Sequence, residues 1–295
     1  MIVFPNCKIN LGLIITGKRE DGFHNIETAF LPIPLKDALE ILPTDLSTIE
    51  PGQGTNRDNP LNNEVAFIST GITIEGNSAN NLCVKAYSLL KKDFPHLPPT
   101  RIHLHKAIPI GAGLGGGSSN AAFTLMALNE KYGLGLSQAQ LISYAIQLGS
   151  DCPFFVINQP CLGYGRGELL EPVSLNLSQY QLILINPGIH IDTGWAFSQL
   201  NKTTHHSTKS SQRNPLKHII NQSPATWKDT LHNEFEPLVF DKYPEVKSIQ
   251  ESLYENGAIY AAMSGSGSSI YGLYDRNVKI TVEVPGHYLR KQLFL

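Results

Sequence analysis

Between Pro109 and Ala122 the chain reads P-I-G-A-G-L-G-G-G-S-S-N-A-A, with five glycines inside seven positions and Ser118, Ser119 and Asn120 directly after them. A stretch this poor in side chains adds little to a core, so its backbone must lie close to other backbone or to a bound group. An alanine-rich apolar run follows at once and predicts a helix from about Ser118 to Tyr132, with Gly133 as its stop. Residues Arg101 to Lys106 predict a strand leading into the glycines. Free backbone N–H groups, the positive end of a helix dipole and two hydroxyls then converge. That is an anion site, and phosphate is the usual anion.

Three glycine-rich loops compete for this segment. A P-loop needs Lys after its last glycine, and Gly117 is followed by Ser118, so that pattern fails. A dinucleotide fingerprint on Gly111, Gly113 and Gly116 needs an acidic ribose ligand beyond the helix. Ser137 to Gln140 holds no acid, and Glu130 comes too early. A glycine cluster that only makes a tight turn stays open on the residues alone. Ser-Ser-Asn at the helix start weighs against it, because two serines exceed what one N-cap requires.

The rest of the chain sets broad bounds. Its 295 residues suffice for two modest domains or one large one. An apolar share of 41% with 16% charged residues is ordinary for a folded core. The net charge of −2 favours neither nucleic acid nor a membrane surface as partner. Cys7, Cys83, Cys152 and Cys161 lack C-x-x-C spacing and are expected as reduced thiols. With no signal-like start and no run long enough to span a bilayer, the expected location is the cytoplasm.

Strands are expected over Met1–Ile15, Ile26–Pro34, Asp37–Leu42, Val65–Ile74 and Gln181–Asn186, and a strand, glycine turn and strand over Tyr260–Tyr274. Further helices are expected over Asn81–Lys92, from Ser137 to Gly149, over Leu231–Val239 and over Val246–Asn256. Thr44–Asn63 and Thr203–Asn214 read as polar loops, the second with His205 and His206 as a solvated pair. Strands and helices without βαβ regularity imply an α+β fold.

Several other segments carry chemistry. In Pro5-Asn6-Cys7-Lys8-Ile9-Asn10-Leu11, strand alternation puts Lys8 and Asn10 on one face and Ile9 and Leu11 on the other. A lysine beside an amide between core residues is unusual, and an edge strand with a wet face is the plain alternative. In Arg19-Glu20-Asp21-Gly22-Phe23-His24, an aromatic next to a histidine offers a stacking face and a hydrogen-bonding edge. Asp151, two before Pro153, and Asn81, at a helix start, each suit an N-cap equally well. Lys106 is either a solvated strand end or a group within reach of the loop.

The glycine segment resembles the phosphate motif of the GHMP kinases. Lys8-Ile9-Asn10-Leu11, Arg19 to His24, Gly149 to Phe155, Gly163 to Glu168 and Met263 to Ser269 also resemble family segments. The resemblance implies a two-domain α+β fold, with an ATP-binding and catalytic domain at 1–160, a substrate-binding domain at 161–295 and the active site in the cleft between domains. It implies a kinase that moves the γ-phosphoryl of ATP to a small alcohol, and narrows to members whose acceptor is a cytidine diphosphate-linked methylerythritol. Lys8 and Asp151 are then the catalytic pair, with Asp151 as base. ATP falls to Asn81, Lys106, Pro109, Gly111, Gly113, Leu114, Gly115, Gly116, Gly117, Ser118, Ser119 and Asn120. Asn10, Phe23, His24, Thr193 and Phe197 would hold the acceptor, the last two on weaker spacing. Mg²⁺ is implied, with no protein ligand fixed, and the state is monomer or homodimer. The rival from another class is a nucleotide-binding module without catalysis.

Overall fold

The computed structural model describes residues 1–44, 64–200 and 216–295. Most of the loop expected at Thr44–Asn63 and of the one at Thr203–Asn214, with His205 and His206, lies outside the described residues. The described chain forms two compact units, each assembled from several stretches.

The first unit holds Met1–Cys7, Leu35–Ile110 and Gly115–Asn158. Its sheet runs in the order β1 (Ile2–Val3), β4 (Ala38–Pro43), β6 (Thr100–Lys106), β5 (Val65–Gly71). The pair β5 and β6 is parallel, with Val65 opposite Thr100, and α1 (Leu82–Asp93) lies in the crossover between them. The strands β4 and β6 are antiparallel, with Ala38 opposite His105. Three helices complete the unit: α2 (Gly116–Tyr132), α3 (Gln138–Leu148) and α4 (Cys152–Ile157). Ala121, Ala122, Leu125 and Leu128 bury one side of α2, and α1 and α4 pack against it. Ser137 caps α3, through a capping box with Gln140.

The second unit holds Lys8–Pro34, Gly111–Leu114 and Gln159–Leu295. One sheet has the order β2 (Asn6–Lys18), β3 (His24–Lys36), β7 (Cys161–Tyr164), β8 (Leu169–Pro172). The other, antiparallel throughout, has the order β10 (Tyr260–Met263), β11 (Ile270–Asp275), β9 (Tyr180–Asn186), β12 (Leu289–Phe294). Among the described residues this unit holds the α-helices α5 (Thr193–Leu200), α6 (Leu216–Ile220), α7 (Trp227–Thr230), α8 (Glu236–Lys242) and α9 (Pro244–Glu255). Leu13, Ile183, Phe235, Val246, Leu253 and Met263 belong to one continuous core.

Three expected elements change. The strand over Met1–Ile15 breaks at Phe4-Pro5, where proline has no N–H to donate. The helix over Leu231–Val239 begins only at Glu236. Residues before it are drawn out of helix because the Leu13 N–H bonds the His232 carbonyl and Asn233 bonds the carbonyls of Met263 and Gly265. The loop helix starts at Gly116, two residues earlier than the serines suggest, because left-handed Gly115 (φ 66°) caps it without a side chain.

Candidate active site

In the first unit the helix start gathers most of the expected phosphate ligands. With Gly115 as cap, Gly116, Gly117 and Ser118 form the first turn, whose N–H groups have no acceptor within the helix. Ser118, Ser119 and Asn120 are therefore part of the helix and cap nothing. Ser119 Oγ is buried and has no hydrogen-bond partner among the described residues, a cost that a bound anion or cation would relieve. A Cβ on Gly117 would meet only Leu82, at 3.9 Å, so the backbone there is open to approach. Ser118 bonds the Cys152 thiol, which burial pushes up to about 12, so that cysteine stays neutral.

Lys106 is buried rather than solvated, and its Nζ lies 2.5 Å from Asp37. Burial lowers its pKa, and the Asp37 carboxylate opposes the shift. Asn120 Nδ2 also donates to Asp37, at 2.8 Å. The sequence reading missed Asp37. The signal was the strand register: Ala38 opposite His105 brings Asp37 next to Lys106. Asn81 is the N-cap of α1 and accepts the Cys83 N–H at 2.9 Å. Asp151 stands before α4 with helical backbone (φ −84°, ψ −13°) and makes no cap bond, which removes the capping alternative.

In the second unit Lys8 and Asn10 are buried, so the wet-edge alternative is overturned. Lys8 Nζ donates to Asn10 Oδ1 at 2.5 Å and to the Gly113 carbonyl at 3.0 Å, and sits 5.4 Å from the Phe30 ring centre. Asn10 Nδ2 donates to Thr28 Oγ1 at 2.9 Å, which fixes the amide with its oxygen toward Lys8. The Gly113 carbonyl also accepts Ser264 Oγ at 2.8 Å. A Cβ on Gly113 (φ +76°) would stand 1.9 Å from the Ser264 carbonyl, so only glycine fits. The loop at 264–269 is thus packed directly against this part of the glycine loop.

The aromatic residues are arranged differently from a simple pair of stacking faces. His24 is buried and stacks on Phe197, with ring centres 5.1 Å apart and planes 17° apart. Phe235 closes the edge of Phe197 at 4.9 Å. Phe23 is exposed, with the Arg166 guanidinium 5.1 Å from its ring centre. His24 Nε2 is buried without a partner among the described residues. Thr193 and Ser266 share a hydroxyl–hydroxyl bond of 2.9 Å. Neither Arg166, over Phe23, nor Thr28, bonded to Asn10, was singled out as a site residue in the sequence.

The first unit thus offers an anion-receiving helix start, and the second a buried lysine held by a glycine-loop carbonyl with a second glycine loop packed against it. Residues 81–159 match the GHMP kinases N terminal domain, and residues 208–283 match the GHMP kinases C terminal domain. A Bacteroides fragilis protein named 4-diphosphocytidyl-2-C-methyl-D-erythritol kinase is 48% identical over 281 residues, 95% of this chain and 94% of the relative. A Cytophaga hutchinsonii protein of the same name is 46% identical over 276 residues, covering 93% of each chain. A solved 4-(cytidine 5'-diphospho)-2C-methyl-D-erythritol kinase superposes with a TM-score of 0.73 at 29% identity, over 92% of this chain and 90% of the other. The Methanococcus jannaschii mevalonate kinase shares the fold, with a TM-score of 0.68 at 12% identity over 100% of this chain and 98% of the other. The chain belongs to the GHMP kinase family, and it is a small-molecule kinase of α+β fold.

Proposed function

We propose that this chain transfers the γ-phosphoryl group of ATP to the 2-hydroxyl of 4-diphosphocytidyl-2-C-methyl-D-erythritol, a step of the non-mevalonate route to isoprenoid precursors. The observation that carries this is the likeness, at 48% identity over 95% of the chain, to a relative named for that reaction. Phosphoryl transfer needs position and charge neutralisation more than covalent chemistry. The N–H groups of the Gly115–Ser118 turn receive the triphosphate at the positive end of α2. The Lys8 ammonium faces the charge that develops on the transferring group and on the attacking oxygen. Asp151 orients the hydroxyl and accepts its proton. Exposed Phe23 offers a face to the cytosine ring, and His24 Nε2 has hydrogen-bonding capacity left for the edge of the base. Asn10 and Thr193 serve the acceptor from the same unit.

Mg²⁺ fits this site. The buried, unpartnered Ser119 hydroxyl lies at the helix start, and Mg²⁺ ordinarily takes most of its ligands from phosphates and water. When bound it neutralises β- and γ-phosphate charge. The compartment proposed for this reaction is the cytoplasm, in keeping with substrates that are charged and do not cross membranes unaided. Among the described residues no helix is long and apolar enough to span a bilayer.

The test is ADP release by the purified chain with ATP, Mg²⁺ and one of three acceptors: the cytidyl substrate, mevalonate or homoserine. Turnover should depend on the cytidyl substrate. Preference for another acceptor, or ATP binding without turnover, would refute the proposal.

A further inference from the structure

Asp37 lies outside every motif of the chain, yet it accepts four hydrogen bonds beside the glycine loop. Its side chain is fully buried. Oδ1 accepts the backbone N–H groups of Ala107 at 2.7 Å and Ile108 at 2.8 Å. Oδ2 accepts Lys106 Nζ at 2.5 Å and Asn120 Nδ2 at 2.8 Å. A carboxylate has about four lone-pair sites, so its capacity is filled. The donors come from both sides of the loop. Lys106, Ala107 and Ile108 precede the glycines, and Asn120 follows them on α2. One carboxylate therefore ties the two ends of the loop together. Gly116 rests over the same group, since a Cβ there would stand 2.9 Å from Lys106 Nζ.

The charge arrangement fits a clamp. An unpaired carboxylate under an anion site would repel the anion. Lys106 neutralises it at contact distance. Were Lys106 to swing toward a nucleotide, it would leave a fully buried carboxylate without its counter-ion, an unfavourable state. Resting on the reading of the loop as the ATP site, we propose that Asp37 is a positioning residue for ATP. It pins both ends of the glycine loop, with Lys106 as its counter-ion, so that the loop N–H groups meet the triphosphate in one conformation. Lys106 then acts on ATP through Asp37 and not as a ligand.

Two variants of the full chain test this, with ATP affinity, both KM values and thermal midpoint measured on each. Asp37→Ser should raise Kd and KM for ATP about tenfold, while KM for the cytidyl acceptor stays within about twofold. The double variant Asp37→Asn with Lys106→Met keeps a carbonyl oxygen for the Ala107 and Ile108 N–H groups and removes the buried charges as a pair. A flipped Asn120 amide can then accept from the new amide. ATP affinity in the double variant should return to within about threefold of wild type. An ATP KM within twofold of wild type in folded Asp37→Ser would overturn the proposal, as would equal rises for both substrates. If Asp37→Ser does not fold, the double variant decides alone. Recovery supports the clamp, and a loss of about tenfold or more makes Lys106 a direct nucleotide ligand and overturns it. Failure of the wild-type chain to bind ATP, by contrast, removes the reading of the site itself.

Discussion

At the scale of single residues, the informative ones are polar side chains held where apolar ones belong. Lys8 is buried and held in place by Asn10 and the Gly113 carbonyl. Replacing it with methionine, a side chain of similar length, should preserve the fold and remove the charge. Lys8→Met is expected to lose at least about a hundredfold in kcat while KM for ATP changes less than tenfold. A normal kcat with only a raised KM would contradict that role. Asp151→Asn should likewise fold and bind both substrates, and lose most of its turnover. Single-turnover kinetics separate binding from chemistry in each variant, and near wild-type turnover would remove Asp151 as base. Lys8 was legible in the sequence because a charge interrupts apolar alternation. Asp37 was not, because its meaning depends on a strand partner 69 residues away in the chain. The stacking of His24 on Phe197 was hidden for the same reason: the sequence suggested Phe23 and Phe197 as the two stacking faces, and which ring meets Phe197 depends on segments far apart in the chain.

At the scale of elements, the glycine loop separates packing from function. Gly113→Ala forces a Cβ into the Ser264 carbonyl in a left-handed backbone. It should lower the thermal midpoint by several degrees and abolish most activity, because the carbonyl that holds Lys8 shifts with it. Gly117→Ala meets nothing closer than 3.9 Å and lies in a helix, where alanine is preferred. Its thermal midpoint should hold or rise, while KM for ATP rises, since the added methyl stands where phosphate would approach. An unchanged KM would mean that the first turn of α2 is not approached by the nucleotide. The strand, glycines and helix were readable locally from propensity and spacing. The exact start of α2 was not, because a left-handed glycine took the capping role that the serine types suggest.

At the scale of the whole molecule, one half-buried acid links stability to pH. Burial pushes Glu236 up to about 7, against the hydrogen bonds it accepts from the Met263 N–H and Gln250 Nε2. The native state then holds a proton that the unfolded chain releases near 4.5, so stability falls as pH rises from about 4.5 to about 7. Glu236→Gln keeps the accepting oxygen and cannot ionise. Its thermal midpoint should exceed that of wild type by a few degrees at pH 8 and match it near pH 4.5. The reverse order would place the ionised form, not the neutral one, in the native state. Fold class was legible at this scale from the mixture of strands and helices. The way the chain divides between its units was not, since burial of both faces of β2 and β3 depends on partners far along the chain.

That division also constrains how the molecule comes into being. Residues 8–34 belong with a unit whose remaining chain is 111–114 and 159–295. A ribosome adds about 5–20 residues per second, so this hairpin waits roughly 6–25 seconds before its first strand partners beyond residue 158 are made. Throughout that interval Leu13, Ile15 and Ile26, which share a core with Ile183, Phe235 and Val246 in the finished protein, lack that cover. The nascent chain is therefore a client for holding chaperones early in its synthesis, and a product stopped near residue 160 would carry the same uncovered strands into aggregation.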